Sequence, residues 1–317
     1  MAGASGLSFP ADRRSDGESS IEIRSGFPIA LPRVGNDIRE NFDWVVVTRV
    51  NGLMEFGPKG ADSACSHSSA PTERRRALVL GGSSQARALA TRIAADPHLA
   101  GVISLAGRTS APIAHDLPTR VGGFGGVEGL TRYLIEERIS HVVDATHPFA
   151  ARISANARAA CAVAGVPLLV LTRPPWVSSQ GDRWIDVDDN AAAVSALGAA
   201  SRRVFLAIGR QGVADFRAAP QHDYLLRVIE PPDSDDLPPS CEVIFGRGPF
   251  ALEDEIALMR EGRIEIVVTK NSGGALAYAK IEAARMLRLD VVMIARPASA
   301  DAATTHSIDA AMAFLAS

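Results

Sequence analysis

Residues 77–90 read ALVLGGSSQARALA, and this stretch predicts the fold. The short apolar run 77–80 ends in two glycines, which is typical of a buried parallel strand that enters a tight turn. After Ser84 the apolar side chains are spaced for one buried helical face, with Leu89 and Ile93 on it. A strand, a glycine turn and a helix in this order indicate the first unit of a doubly wound α/β sheet.

The same alternation continues along the chain. Up to residue 172 it predicts strands at 101–107, 141–145 and 166–172 and helices at Val127–Glu137 and Phe149–Ala164. The prolines of RPPW (173–176) stop both helix and sheet and therefore mark a linker. Beyond it the pattern predicts strands at 204–208, 224–229, 242–246, 264–269 and 291–295, and helices at Asn190–Ala199, Phe250–Glu261 and Gly274–Leu287.

These elements predict an α/β protein with two Rossmann-like doubly wound domains, each built on a parallel sheet. We assign residues 76–173 to the first, nucleotide-binding domain and residues 174–317 to the second, substrate-binding domain. Residues 1–75 are rich in Ser, Gly, Pro and charge, so we expect a mostly disordered N-terminal extension. Two such domains in tandem normally leave a cleft that faces the carboxyl ends of the strands.

Composition excludes several classes of protein. The formal net charge is −3 and there is no long basic run, which argues against a nucleic-acid-binding protein. Three widely spaced cysteines fit neither a disulfide framework nor a cysteine zinc site. No apolar stretch approaches the roughly 20 residues that span a bilayer, and no leader peptide is recognisable. We therefore expect a cytoplasmic protein that does not act at a membrane.

The glycine turn GGSSQA (81–86) is placed to hold a phosphate at a helix N-terminus, although a plain strand–helix turn has the same pattern. It departs from G-x-G-x-x-G at Ser83 and Ala86. The second strand is followed by Arg108 and Thr109, where an acidic residue would select NAD. A cation there favours the 2′-phosphate of NADP, the alternative being a solvated arginine.

The segment DATHPFA (144–150) follows the fourth strand. It has no second ligand at metal spacing and no nucleophile elbow accompanies it, so we predict neither a metal site nor a hydrolase triad. Pro148 suits the first position of a helix, which would place Thr146 or His147 at its cap. We expect a cofactor or substrate contact here, with a purely structural cap as the alternative.

Three loops combine a cation with glycine at a predicted strand end. They are IGRQG (208–212), FGRGPF (245–250) and VTKNSGG (268–274). Cationic, amide-rich loops of this kind bind carboxylates or phosphates. Because the strand ends share one edge of the sheet, the three loops together predict a polyanionic ligand. The glycines of VGGFGG (121–126) allow close approach to a ligand, or serve a tight turn.

Together these motifs resemble the precorrin-6A reductase family of cobalamin biosynthesis. The resemblance rests on LVLGGSSQARALA (78–90), AGRT (106–109), DATHPFA, LTRPPW (171–176), AIGRQG (207–212), TKNSGG (269–274) and ARP (295–297). It covers the chain from about Arg76 to the C-terminus. It implies a two-domain NADPH-dependent reductase, with neither flavin nor metal, that adds hydride and a proton across a ring double bond. The implied partner is a tetrapyrrole, precorrin-6A, and other corrin-pathway enzymes are implied as transient contacts.

On this basis we assign candidate site residues. The cofactor set comprises Gly81, Gly82, Ser83, Ser84, Gln85, Arg108, Thr109, Gly122, Gly123, Asp144 and Thr146. The substrate set comprises His147, Pro148, Phe149, Arg173, Arg210, Lys270, Asn271, Ser272 and Gly273. His147 and Lys270 are the candidate catalytic residues, with solvent as the alternative proton donor. Two other functions remain open at this point, namely reduction of cobalt-precorrin-6A and non-catalytic sensing of NADP.

Overall fold

The computed structural model describes residues 74–107, 114–297 and 302–317. Its strands are β1 (Arg75–Leu80), β2 (Leu99–Leu105), β3 (Thr119–Val121), β4 (His141–Asp144), β5 (Leu168–Leu171), β6 (Trp184–Val187), β7 (Arg203–Ala207), β8 (Asp223–Val228), β9 (Cys241–Phe245), β10 (Ile266–Lys270), β11 (Asp290–Ile294) and β12 (Thr304–Thr305). Its α-helices are α1 (Ser84–Ala94), α2 (Gly126–Glu136), α3 (Ala151–Ala164), α4 (Asn190–Ala196), α5 (Leu252–Glu261), α6 (Ala279–Leu287) and α7 (Ile308–Ala316).

The strands form two six-stranded sheets, and every pairing between them is parallel. The first sheet has the order β3-β2-β1-β4-β5-β12, and the second has the order β9-β8-β7-β10-β11-β6. Both follow the doubly wound pattern, since the order reverses between β1 and β4 in the first sheet and between β7 and β10 in the second. The predicted α/β class with two Rossmann-like parallel sheets is confirmed; the expected N-terminal extension lies outside the described residues.

The two sheets exchange their sixth strands. β6 follows β5 in the chain but pairs with β11 of the second sheet, whereas the C-terminal β12 pairs with β5 of the first. Helix α7 follows β12 and packs against α1. The assignment of all of 174–317 to the second domain therefore differs from the structure, in which this C-terminal segment completes the first sheet. The sequence pattern predicts neither β6 nor β12, because both are short, and it does not indicate which of two sheets a strand joins.

Alternation of side chains along each central strand builds the core. In β1, Ala77 and Val79 pack with α1 and α7, while Leu78 and Leu80 face α2 and α3. In the second sheet Val204 and Leu206 of β7 pack towards α4, and Phe205 packs towards α5 and α6. Because every central strand is covered on both faces, the strand sequences are continuously apolar.

The start of α3 corrects one prediction. Pro148 is not the first residue of the helix, which begins at Ala151, and its N-cap residue Ala150 makes no side-chain capping bond. Instead, the Ala150 N–H donates to the His147 carbonyl over 2.7 Å, so that Pro148 lies inside a turn. Thr146 and His147 are therefore not capping residues, and their side chains bond elsewhere. The helix predicted from Gly274 also starts later, at Ala279, after a short 3₁₀ turn.

Candidate active site

The turn between β1 and α1 depends on its two glycines. A Cβ on Gly81 would lie 2.9 Å from side-chain atoms of Ile103 and Leu105, whereas Gly82 has a φ of +120° and open space around it. Ser83 caps α1, since its Oγ accepts the Ala86 N–H over 3.1 Å. The same hydroxyl donates to the Ala145 carbonyl over 2.7 Å. The turn is therefore tied to the loop that follows β4.

This pairing lies at the point where the strand order of the first sheet reverses, between β1 and β4. Open α/β sheets bind ligands at that position, outside the carboxyl ends of the strands. Gln85 extends the contact, because its Nε2 donates to the Thr172 carbonyl beyond β5 over 3.1 Å. The glycine turn, the loop after β4 and the residues after β5 thus form one continuous edge.

Some predicted cofactor residues are differently engaged, and some cannot be placed. Gly122 has a φ of +115°, and its N–H donates to the Leu105 carbonyl over 2.9 Å. The Arg120 guanidinium donates hydrogen bonds to the carbonyls of Gly122 and Gly123, over 2.6 and 2.8 Å. These two glycines therefore form a turn at the end of β3, and both of their carbonyls and the Gly122 N–H are already hydrogen-bonded within the chain. Residues 108 and 109, predicted to select NADP, lie outside the described residues.

Asp144 organises the loop that follows β4. Its side chain is buried, and Oδ1 accepts both the backbone N–H of Thr146 over 3.1 Å and the Thr146 hydroxyl over 2.7 Å. The Thr146 hydroxyl also lies 3.4 Å from Ser154 Oγ of α3. Two hydrogen bonds to one carboxylate oxygen hold the backbone in a fixed turn. His147, the next residue, is therefore presented in a defined direction.

His147 connects the two halves of the site. Its Nδ1 accepts the Phe149 N–H over 3.3 Å, so in the neutral ring the hydrogen is on Nε2. Nε2 lies 3.1 Å from Ser272 Oγ in the loop after β10, and it donates to that hydroxyl. Burial lowers the pKa of His147 to about 4, with Arg173, Lys270, Arg296 and Lys280 contributing in the same direction. The imidazole is accordingly neutral at pH 7.

Lys270 connects two strand ends of the second sheet. Its Nζ donates to the carbonyls of Ile208 and Gln211, over 2.9 and 3.2 Å, in the loop that follows β7. That loop also contains Arg210. Burial lowers the pKa of Lys270, and Asp215 opposes the shift. The lysine thus ties β7 to β10 at the reversal point of the second sheet, as Ser83 ties β1 to β4 in the first.

Asn271 is bonded to the chain itself. Its Oδ1 accepts the Trp176 N–H over 2.8 Å, and its Nδ2 donates to the Trp176 carbonyl over 3.0 Å. The predicted substrate contact is therefore engaged with the linker between β5 and β6. Gly273 is buried with a φ of +66°, so it also has a structural place. Among the residues of TKNSGG, Ser272 has its side chain against His147.

Three functional candidates were missed from the sequence. Arg296 donates from Nε to the Asn271 carbonyl over 2.8 Å and from Nη1 to the Arg173 carbonyl over 2.7 Å. Trp176 donates from Nε1 to the Gly274 carbonyl over 2.8 Å. Lys280 of α6 is buried and its pKa is lowered to about 7, chiefly by burial and next by Arg227. The motif ARP contains Arg296 and the motif RPPW contains Trp176. Lys280 is one of only three lysines in the sequence, and this scarcity is the signal that could have identified it.

A cavity of about 130 Å³ lies beside His147, between the ends of β4 and β5. Its lining surface is mainly apolar but includes hydroxyls, two arginines and one carboxylate, so it offers hydrogen-bonding groups to a ligand. Its lining residues are Asp144, Thr146, His147, Pro148, Ala151, Ser154, Arg158, Val170, Thr172, Arg296, Pro297 and Thr304. Within the described ranges no three His, Cys, Asp or Glu side chains come together as a metal site, and no helix is long and apolar enough to cross a membrane.

Comparison with known proteins covers nearly all of the described chain. The family model for the precorrin-6x reductase CbiJ/CobK matches residues 76–316. Precorrin-6A reductase of Rhodobacter capsulatus is 52% identical over 76% of this chain and 96% of its own length, and that of Sinorhizobium sp. is 50% identical over 76% and 92%. Cobalt-precorrin-6A reductase of Salmonella typhimurium is 30% identical over 69% and 87%. A solved structure of CobK precorrin-6A reductase matches with a TM-score of 0.72 at 52% identity, covering 76% of this chain and 96% of that one.

Proposed function

The chain belongs to the precorrin-6x reductase family, and we propose that it reduces a ring double bond of precorrin-6A to give precorrin-6B, with NADPH as reductant. Two relatives named precorrin-6A reductase are 52% and 50% identical to it, whereas a cobalt-precorrin-6A reductase is 30% identical. This difference favours the metal-free ring as substrate. The reaction places hydride on one carbon of the double bond and a proton on its neighbour.

The observation that carries the proposal is the charge around His147. Four cations, Arg173, Lys270, Lys280 and Arg296, all lower its pKa, and no acidic group contributes to the shift. Asp215 and Glu255 oppose the pKa shifts of Lys270 and Lys280, whereas no acidic group of the described chain acts on Arg173 or Arg296. Burial of such arginines is unfavourable unless an anion compensates their charge. A tetrapyrrole precursor with acetate and propionate arms supplies several carboxylates, so this cluster fits the proposed substrate. We assign Arg173, Arg210 and Ser272 to its binding, with Phe149 and Pro148 against the ring.

The first sheet suits the nicotinamide cofactor. The N–H groups in the first turn of a helix, here those of Ser84 and Gln85, have no carbonyl partner within the helix and favour an anion. A Cβ on the preceding Gly82 would have no atom of the described residues within 4 Å, so there is space beside the turn. We propose that the pyrophosphate binds at Gly81–Gln85 and that Arg108 and Thr109 take the 2′-phosphate. The cofactor supplies the hydride when bound. The second sheet then contributes the substrate side of the cleft.

The chain's own residues mainly orient the reactants. A group with a pKa of about 4 is a poor proton donor at pH 7, because little of it is protonated. The neutral His147 ring instead donates a hydrogen bond to Ser272 and holds the two loops together. Lys270 uses its ammonium on two backbone carbonyls, so we assign it to binding and positioning. These contacts favour solvent as the source of the proton.

The test is NADPH oxidation by the purified full chain with precorrin-6A and, in parallel, with cobalt-precorrin-6A. We expect turnover with the first at a higher kcat/KM, and product with two additional hydrogens by mass spectrometry. Arg108→Ala should raise the KM for NADPH by roughly 10- to 100-fold and leave that for NADH nearly unchanged, because a charge-assisted bond to the 2′-phosphate is lost. Arg183→Ala is the matched control, since Arg183 precedes β6 and pairs with Asp290. Binding of NADPH without any turnover would contradict the proposal.

A further inference from the structure

We infer that Trp176 and Asn271 are positioning residues that place Arg173 in the active site. We use the name clasp for the residues that connect the linker to the loop after β10. They are Trp176, Asn271, Gly273, Gly274 and Arg296. The inference rests on the proposed function, because Arg173 is assigned there to the substrate. It differs from the expectation for Asn271, which the sequence placed among the ligand contacts.

The hydrogen bonds of the clasp join backbone to side chain in both directions. The Asn271 amide accepts from the Trp176 N–H and donates to the Trp176 carbonyl, as a neighbouring strand would. The Trp176 indole returns a bond to the Gly274 carbonyl. An Asn side chain that both accepts and donates in this way cannot be replaced by Asp without setting two oxygen atoms against each other. The linker is therefore attached to the loop at three points.

Close packing completes the attachment. A Cβ on Gly273 would lie 2.1 Å from the Pro174 carbonyl oxygen, and one on Gly274 would lie 2.5 Å from Arg173 Cδ. Residues 173 and 174 of the linker thus occupy the space that side chains at positions 273 and 274 would need. Trp176 is buried on its other side, where Tyr278 packs against it edge-on at 5.8 Å between ring centroids and Lys280 Nζ lies 5.0 Å from its ring.

The clasp holds Arg173 by its backbone and leaves its guanidinium for a ligand. Its carbonyl accepts from Arg296 Nη1, and its Cδ packs over Gly274. The guanidinium makes no hydrogen bond to any other described residue, although the side chain is half-buried and burial lowers its pKa. An arginine whose backbone is held in place and whose guanidinium has no hydrogen bond to the described chain is suited to bind a carboxylate of the substrate. Trp176 and Asn271 act on catalysis through this residue.

The test is a double-mutant cycle of Asn271→Asp and Arg173→Ala in the full-length enzyme, with kcat and KM measured for precorrin-6A. Asn271→Asp alone should lower kcat/KM for precorrin-6A roughly tenfold, and in the Arg173→Ala background its further effect should be less than about twofold, because residues that act as one unit are not additive. The Kd for NADPH should change by less than about twofold, since the first sheet is untouched. Trp176→Phe, which removes the indole N–H and part of the ring but keeps an aromatic side chain, should behave in the same way.

Hydrogen exchange tests the clasp without turnover. In Asn271→Asp the amides of residues 173–177 should exchange faster than in the parent, while those of β7 exchange at the parent rate. Fully additive kinetic effects in an active enzyme, or unchanged exchange in the linker, would overturn the inference. A parent enzyme that fails to reduce precorrin-6A would instead overturn the proposed function, and the exchange measurement would still decide on the clasp.

Discussion

The neutral His147 makes the stability of the protein depend on pH in a way that one substitution isolates. Its pKa falls from the ordinary value of 6.5 to about 4 in the folded state, chiefly through burial and next through Arg173. The unfolded chain therefore binds more protons than the folded one between these values, so the free energy of unfolding decreases as pH falls through this window. His147→Gln keeps an N–H that reaches Ser272 but has no titrating group.

The magnitude follows from the two pKa values. Between about pH 7.5 and pH 4.5, a shift from 6.5 to about 4 lowers the free energy of unfolding by about 2.5 kcal/mol. We expect the parent to lose about that much more stability than His147→Gln over this range, as measured by urea unfolding at several pH values. The other histidines are present in both proteins and cancel in the comparison.

The result that would refute this reasoning is an equal pH dependence of stability in the two proteins. A second measurement is direct: the imidazole proton resonances of His147, assigned by their absence from the spectrum of His147→Gln, should not titrate above pH 5. A titration midpoint near 6.5 would show that neither burial nor the neighbouring cations disfavour the protonated ring in the free enzyme. It would restore His147 as a candidate proton donor.

Two further substitutions have matched controls elsewhere in the chain. Ser83→Ala removes both the α1 cap and the hydrogen bond to the Ala145 carbonyl, so it should lower the free energy of unfolding in urea by about 2 kcal/mol and raise the KM for NADPH. Ser307→Ala removes only the cap of α7 and should lower it by about 1 kcal/mol. Equal losses in the two variants would contradict the connection between β1 and β4. Gly273→Ala should fail to fold or lose most activity, because its Cβ would lie 2.1 Å from the Pro174 carbonyl oxygen. Gly165 has nearly the same φ, and a Cβ there would have nothing within 4 Å. Gly165→Ala should therefore lower the free energy of unfolding by only about 1 kcal/mol.

Much of the site was predictable because its residues directly follow strands in the sequence. Parallel strands all end at one edge of their sheet, so Gly81–Ser83, the DATHPFA segment and TKNSGG could be placed there from the strand pattern alone. What each polar side chain bonds to was not predictable. Asn271 looks like a ligand contact in sequence, yet its amide is taken by Trp176, which is 95 residues away in the chain.

The sequence by itself determined the fold class, the glycine turn and the cationic character of the cleft. These follow from short-range patterns, since a continuous apolar run, a glycine pair and a helical face need only a few residues to be recognised. Only the tertiary structure decided that β12 returns to the first sheet, that Lys280 is buried and that His147 remains neutral. Each of these depends on contacts between distant segments, because strand partners and the burial of a charge are set by the packed chain and not by its local pattern.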